Sequence, residues 1–241
     1  DNNRFLRRWS EVSIDNIRFG ADKTELLDMK EKWIPYNKGG EYRKWYGNYE
    51  FVVNWHKDGE EIKEYAVERN KGKHWSRYIQ NIGHLCCEGI TWSFITSARF
   101  SMRYLPKGFI CDYAGCAIYP DEKDREMILA LLNSNIAQAY MEAINPTLNF
   151  QPGNVATIPV YERINDYEKE IKQLTKENIS INKFEWDLYE VSWDFKKDKL
   201  VQLNDDKCNK IEVIAKNYSS ILEEKFNKLK TNEERLNQIF S

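Results

Sequence analysis

Long apolar runs are absent from this 241-residue sequence. No stretch approaches the length of a membrane-spanning helix and no signal peptide opens it, so neither membrane insertion nor export is expected. Cysteine is scarce and irregular. Cys86, Cys87, Cys111, Cys116 and Cys208 are odd in number and unevenly spaced, which argues against a secreted disulfide framework and fits a reducing cytoplasm. His84-Leu85-Cys86-Cys87 with Cys111 and Cys116 supplies soft donors, but no C-x2-C or H-x3-H pair, so buried thiols rather than zinc are expected. The three histidines, His56, His74 and His84, have no Ser or Cys elbow beside them. Lys38-Gly39-Gly40 and Gly20-Ala21 match neither G-x-x-x-x-G-K nor G-x-G-x-x-G, so no phosphate cradle for a nucleotide cofactor is recognisable. Carboxylate pairs such as Glu60-Glu61 lie in lysine-rich polar segments and read as surface. No catalytic residue and no metal site are expected.

What is plentiful is aromatic and charged. Hydrophobic residues make up 41% and aromatic residues 14%, enough for a real core and too much for wholesale disorder. The net charge of −2 hides an uneven distribution. Between Arg69 and Cys111 stand Arg69, Lys71, Lys73, Arg77, Arg99, Arg103 and Lys107 against the single acid Glu88. Trp75, Tyr78, Trp92, Phe94, Phe100 and Tyr104 run through the same window. A solvated face is the common fate of such a charge run, but a cationic surface carrying rings is also the footprint of a nucleic-acid groove. The stretch Lys32–Trp55 repeats the theme, with Trp33, Trp45, Trp55, four tyrosines, Lys38, Arg43, Lys44 and the Gly39-Gly40 pair.

Periodicity divides the chain. Tyr49–Trp55, Gly89–Ile95, Phe100–Tyr104, Gly108–Asp112 and Ala117–Pro120 read as short strands, and Asp58-Gly59 as a turn. Residues 60–69 suit a short helix or strand. Asp121–Ile144 is helical, with Asn133-Ser134 able to cap a second helix before the Asn145-Pro146 break. Val155–Val160 would be a last edge strand. Residues 1–160 are thus expected to form a β-rich α+β domain, and residues 161–241 a helical segment. That segment holds an amphipathic helix over Asp166–Glu177, a connector from Lys183 to Phe195 and a long helix over Asp206–Phe240. The long helix carries Leu222, Phe226, Leu229, Leu236 and Phe240 on one face, a stripe expected to pack on its own protein. The chain opens Asp1-Asn2-Asn3 without Met and stops inside a helical pattern, so it reads as a piece of something longer.

Trp33–Asn48 (WIPYNKGGEYRKWYGN), Val52-Val53-Asn54-Trp55, Glu88–Ser93, Leu131–Ser134, Asn145–Asn154 and the pair Glu185-Trp186-Asp187 and Ser192–Phe195 occur in an order that resembles the C-terminal half of PglX-type adenine-specific DNA methyltransferases. These belong to bacteriophage-exclusion (BREX) defence and are similar to type IIG restriction-modification enzymes. The resemblance implies a target-recognition domain like those of type I specificity subunits. It also implies double-stranded DNA as partner and an S-adenosylmethionine-binding methyltransferase domain elsewhere in the same parent chain. The Asn-Pro-Pro-Tyr/Phe loop of that catalytic half is not here. Asn145-Pro146-Thr147-Leu148 lacks the second proline and the aromatic that would stack on a flipped adenine.

On this reading Lys38, Arg43, Lys44, Arg69, Lys71, Lys73 and Arg77 are candidate phosphate contacts, and Gly39-Gly40 would let backbone N–H groups approach a phosphate. Arg99, Arg103, Asn48 and Gln151 are candidate base readers, since Arg suits guanine and Asn or Gln suits adenine. Asn48 could equally be a left-handed turn residue and Gln151 a loop cap. Trp33, Trp45, Trp55 and Trp92 are expected in packing, while Tyr36, Tyr42 and Tyr46 are candidates for touching DNA. The competing expectation is a protein-interaction module that docks the methyltransferase half or another defence component.

Overall fold

The computed structural model describes all residues except Gln80, Pro146, 161–165 and 205–209. Pro146 of the expected helix break, Tyr161 at the composition shift and Cys208 therefore lie outside the described residues. The chain is α+β, with two small sheets and a long C-terminal helix. Its residues group into two compact units. The first comprises Asp1–Glu41, Asn48–Ile95 and Tyr104–Pro120, and the second Tyr42–Gly47, Thr96–Arg103 and Asp121–Ser241.

The first unit starts with the helical turn α1 (Asn2–Phe5) and the strand β1 (Leu6–Arg8). There follow β2 (Trp33–Asn37), β3 (Phe51–Asn54), α2 (His56–Arg69), β4 (Gly89–Ser93), β5 (Arg103–Leu105, its first residue counted with the second unit), β6 (Ile110–Cys111) and β7 (Gly115–Ile118). One sheet has the order β1-β3-β2-β6 and the other β5-β4-β7. β3 pairs antiparallel with both its neighbours, Val53 lying opposite Leu6 and Ile34, whereas β2 and β6 run parallel. Every residue of β4, the central strand of its sheet, is buried. Leu6, Leu26, Ile34, Val53, Trp55 and Ile110 form the heart of the core. The expected Asp-Gly turn is present as three left-handed residues, Lys57, Asp58 and Gly59, and residues 60–69 continue as helix. At Gly59 an added Cβ would stand 3.1 Å from the Trp55 ring, so the turn and the ring pack face to face.

Asn37 fixes the end of β2. It is fully buried, and its Nδ2 donates to Thr91 Oγ1 (2.6 Å) and to the Gly115 carbonyl (3.0 Å). Thr91 Oγ1 in turn donates to the Cys116 carbonyl at 2.7 Å. One amide thereby links a strand of the first sheet to the two paired strands β4 and β7 of the second. The contact is so close that a Cβ on Gly115 would fall 2.3 Å from the Asn37 carbonyl oxygen.

The second unit is helical: α3 (Arg125–Leu132), α4 (Asn135–Ile144), α5 (Pro152–Val155), α6 (Glu168–Trp186), α7 (Lys199–Asn204) and α8 (Ile211–Phe240). Ser134 caps α4, its Oγ accepting from Ala137 N. No edge strand forms at 155–160, because Pro152 at the first helical position starts the turn α5 instead. α6 also runs through the stretch expected as a connector, as far as Trp186.

α8 packs on α6 within the same chain. Asn232, almost wholly buried, donates to Asn178 Oδ1 at 3.0 Å, and Arg235 grips Glu170 through two bonds of 2.6 and 3.0 Å. The stripe expected on α8 largely faces inward, with Leu236 buried and Leu222, Leu229 and Phe240 partly buried, but Phe226 departs from it. Ile214, Asn232 and Leu236 are buried while Phe226 is 64% exposed. The repeat of 3.6 residues carries the buried face from Ile214 to Leu236 past Lys225, whose Nζ stands 4.3 Å from the Phe184 ring, and leaves Phe226 outside it.

Substituting Gly115→Ala forces backbone to yield at the Asn37 junction and should cost about 1–3 kcal/mol, the range for overpacking. Gly153→Ala, where a Cβ meets open space, is the control. Thermal denaturation should show a lowered midpoint for the first variant alone, and an unchanged midpoint for Gly115→Ala contradicts the junction.

Candidate nucleic-acid interface

The structure sorts the candidate cations into three environments. Arg43 and Lys44 lie on the short segment Tyr42–Gly47 of the helical unit and are already paired. Arg43 binds the Glu185 carboxylate, and its guanidinium carbon stands 5.0 Å from the Trp186 ring centre. Lys44 Nζ is 3.0 Å from Glu233 Oε2. The other oxygen of Glu233 accepts from the indole N–H of buried Trp45 at 2.6 Å. Gly47, with φ of 121°, is glycine for a steric reason: a Cβ there would lie 2.4 Å from Arg43 Cδ and 2.9 Å from the Trp186 ring. Tyr46 is buried beneath Lys183, whose ammonium binds Asp187 (2.8 Å) and Asp194 (2.6 Å). Burial pushes the Tyr46 hydroxyl above its ordinary pKa. Burial acts to lower the Lys183 ammonium, but the bonds to Asp187 and Asp194 raise it overall.

Three separated sequence blocks thus meet: Arg43–Gly47, Glu185–Asp187 and Ser192–Asp194. Ser192 Oγ completes the assembly by donating to Asp187 Oδ1 at 2.6 Å. Glu233, which holds Lys44, had no signal in the sequence, since neither spacing nor periodicity links residue 44 to residue 233. The Trp-bearing Glu185-Trp186-Asp187 block was visible, but its use was not.

A second group sits in fixed backbone geometry. In the β-rich unit, Asn48 has φ of 64° and donates from Nδ2 to the Glu41 carbonyl (2.8 Å), the turn role the sequence left open. Gly39 and Gly40 are accounted for by packing: a Cβ on Gly39 would meet the Ala114 carbonyl oxygen at 2.6 Å, and one on Gly40 would meet Asn48 Nδ2 at 2.8 Å. Lys38 is half-buried, with Nζ 4.8 Å from the Phe51 ring. Tyr36 is partly buried, while Trp33, Trp45, Trp55 and Trp92 are all buried. Arg103, in the helical unit, is 0% exposed, so its guanidinium is not at a surface where a base edge could meet it. Arg99 and Gln151 of the same unit are exposed, Gln151 at the N-cap of α5.

The third group is Arg69, Lys71, Lys73 and Arg77, all exposed on one run of chain in the β-rich unit. α2 ends here in a left-handed reversal at Lys71 (φ 53°) and Gly72 (φ 81°), with Gly72 N–H donating back to the Val67 carbonyl at 3.0 Å. Lys73 N–H then donates to the Asn70 carbonyl (3.1 Å), and His74 caps a 3-10 turn over Trp75–Arg77 by accepting from Ser76 N. The backbone is therefore locally tied down while the cationic ends point outward. Among the described residues no carboxylate stands at ion-pair distance from any of the four.

The thiols are part of the fold. Cys111 Sγ accepts from Tyr119 Oη (3.6 Å) and Asn37 Nδ2 (3.7 Å), and burial pushes the Cys86 and Cys116 thiols up to about 12 and about 11. Among the described residues no group of three or more His, Cys, Asp or Glu could hold a metal ion, and no helix is long and apolar enough to cross a membrane.

No family model matches the chain. Two curated relatives do, and both are adenine-specific methyltransferases. PglX of Lacticaseibacillus casei (strain Zhang) is 34% identical over 244 residues, covering 100% of this chain and 20% of the relative. BrxX of Escherichia coli O9:H4 (strain HS) is 40% identical over 202 residues, covering 82% of this chain and 15% of the relative. The chain therefore spans a fifth or less of the relatives it matches. It corresponds to a fragment of a PglX/BREX-type protein.

Replacing Arg43 and Lys44 together by Ala should lower the stability of the helical unit. Both ion pairs are partly exposed, so the combined loss is about 1–3 kcal/mol, smaller than for fully buried pairs. The same change at Lys71 and Lys73 should leave the thermal midpoint in place. Equal midpoints for the two double variants contradict the structural role of Arg43 and Lys44.

Proposed function

We propose that this chain is a target-recognition part of an S-adenosylmethionine-dependent, adenine-specific DNA methyltransferase of a phage-defence (BREX) system, with a fold related to type I specificity subunits. It holds double-stranded DNA while a methyltransferase domain elsewhere in the same parent chain transfers the methyl group. The observation that carries this reading is the run Arg69–Arg77. It offers four exposed cations, none offset by a carboxylate among the described residues, in a chain matching a fragment of adenine-specific methyltransferases.

Phosphates are the natural counter-charge for such a set. Neutralising them releases condensed counterions and makes binding weaken steeply with salt. Arg69, Lys71, Lys73 and Arg77 fix the position of the duplex and carry no sequence information. Of the candidate base readers, Arg99 and Gln151 are exposed and have donor patterns that suit guanine and adenine. In this reading Arg43, Lys44 and Tyr46 hold helices together, Lys38 packs on Phe51, and the phosphate contacts fall to Arg69, Lys71, Lys73 and Arg77. The alternative, a module that docks the methyltransferase half, has one observation in its favour: Ile211, Val213 and Phe226 of α8 are exposed apolar side chains.

Fluorescence anisotropy with a random-sequence duplex across a salt titration separates the two. The triple change Lys71→Ala, Lys73→Ala, Arg77→Ala should flatten the slope of log K against log salt by about 2–3, near 0.9 for each phosphate that is no longer neutralised. A wild-type chain that ignores duplex DNA at low salt, or a triple variant with an unchanged slope, removes the proposal.

A further inference from the structure

Beside the cationic run, the β-rich unit contains a cleft of about 380 Å³ that the packing of the fold leaves unfilled. Its floor is apolar and buried, made by Phe5, Leu6, Val53 and Ala66. Tyr36, Tyr65, Ile62 and Ile79 wall it, and Tyr78, 57% exposed, stands at the rim with Arg69. Arg69 Nη1 donates to Tyr65 Oη at 3.2 Å, and Tyr78 Oη donates to Asn70 Oδ1 at 3.3 Å, so both rim groups have fixed neighbours. Tyr36 packs against the core, and burial, followed by the Asp112 carboxylate, raises its hydroxyl well above the ordinary phenol range. Asp1 and Asn2 add polar atoms at the edge.

We infer that this cleft seats one unpaired nucleobase, its phosphate lying toward Arg69. The inference rests on the DNA-recognition reading and names a ligand for the same face. A flat ring with polar edges fits a cleft whose walls are rings and aliphatic side chains, because each base has a π-face that stacks without regard to sequence. Polar donors and acceptors at the mouth leave the ring's edges able to find partners there. Arg4 lies 5.0 Å and 5.3 Å from the ring centres of Phe5 and Tyr65, which occupies those rings with an internal cation. Tyr36 and Tyr78 are therefore the stacking surfaces. Arg69 belongs both to the cleft and to the cationic run, so a strand tracked by Lys71, Lys73 and Arg77 brings its backbone to the cleft mouth. A base already out of the stack enters at least cost, since pairing need not be broken first.

The probe is a duplex carrying one unpaired 2-aminopurine, compared with the fully paired duplex and with free 2-aminopurine nucleoside monophosphate. Wild-type chain should bind the unpaired duplex about fivefold or more tighter than the paired one, the low end of one stacking contact, and quench the probe. Ile62→Trp, which fills the cleft, should abolish that preference while leaving paired-duplex affinity and its salt slope unchanged. Tyr78→Ala, at an exposed position, should also abolish the preference and guards against a misfolded Ile62 variant. Salt-dependent duplex binding with no preference, or a preference that survives both changes, overturns the cleft assignment and leaves the DNA reading standing. If no duplex binds, the DNA reading falls. Quenching of the free nucleotide that Tyr78→Ala removes would then keep the cleft as a seat for free nucleotides, and absence of quenching overturns both.

Discussion

Two carboxylates decide what the cations of this chain can do. Glu185 and Glu233 hold Arg43, Lys44 and the indole of Trp45 inside the helical unit. At such distances two opposite charges near a protein surface attract by about 4 kcal/mol before desolvation, so a phosphate must displace a partner already in place. Losing Glu233 would also strand a buried indole N–H, at a cost of about 1–3 kcal/mol. A Lys/Arg-rich, ring-rich stretch can therefore be a docking segment of the fold, its cations spent on its own chain. Among the described residues Arg69, Lys71, Lys73 and Arg77 have no such carboxylate partner, and all four are exposed on one run of chain.

The glycines of the same stretch follow a related rule. Gly39, Gly40, Gly47 and Gly115 each sit where a Cβ would collide with backbone or a packed side chain, with approaches of 2.3–2.8 Å. Their small size lets β2 come close to β4 and β7 through Asn37, and lets Arg43 lie beside Trp186. Close approach within the protein accounts for them without any phosphate. The most recognisable block of the sequence is in this way an architectural element whose middle, Tyr42–Gly47, belongs to the helical unit, while its two ends build the β-rich one.

Much of the secondary structure was legible because its signals are local. The Gly89–Ser93 strand, the Ser134 cap and the long final helix announce themselves through β-branched residues, a capping hydroxyl and a 3.6-residue period. What depended on distant partners was not legible. The sequence could not place Phe226 outside the packed face of α8, nor bury Arg103, because both depend on which residues of other segments arrive beside them. Val155–Val160 read as an edge strand from its own apolar residues, and the helical turn that Pro152 starts takes the place of that strand. The family was legible from blocks of residues, and the two methyltransferase relatives agree with it. Of the candidate contacts, the local charge run Arg69–Arg77 stays on one exposed segment, while the contribution of Arg43 and Lys44 was set by carboxylates far along the chain.

Hydrogen–deuterium exchange of the chain with and without duplex DNA tests the central claim most directly, because it reports where along the backbone a bound duplex slows exchange. Slowed exchange concentrated in residues 69–79, with Tyr42–Gly47 unchanged, is what this account predicts. New protection at Tyr42–Gly47 with none in residues 69–79 would contradict it.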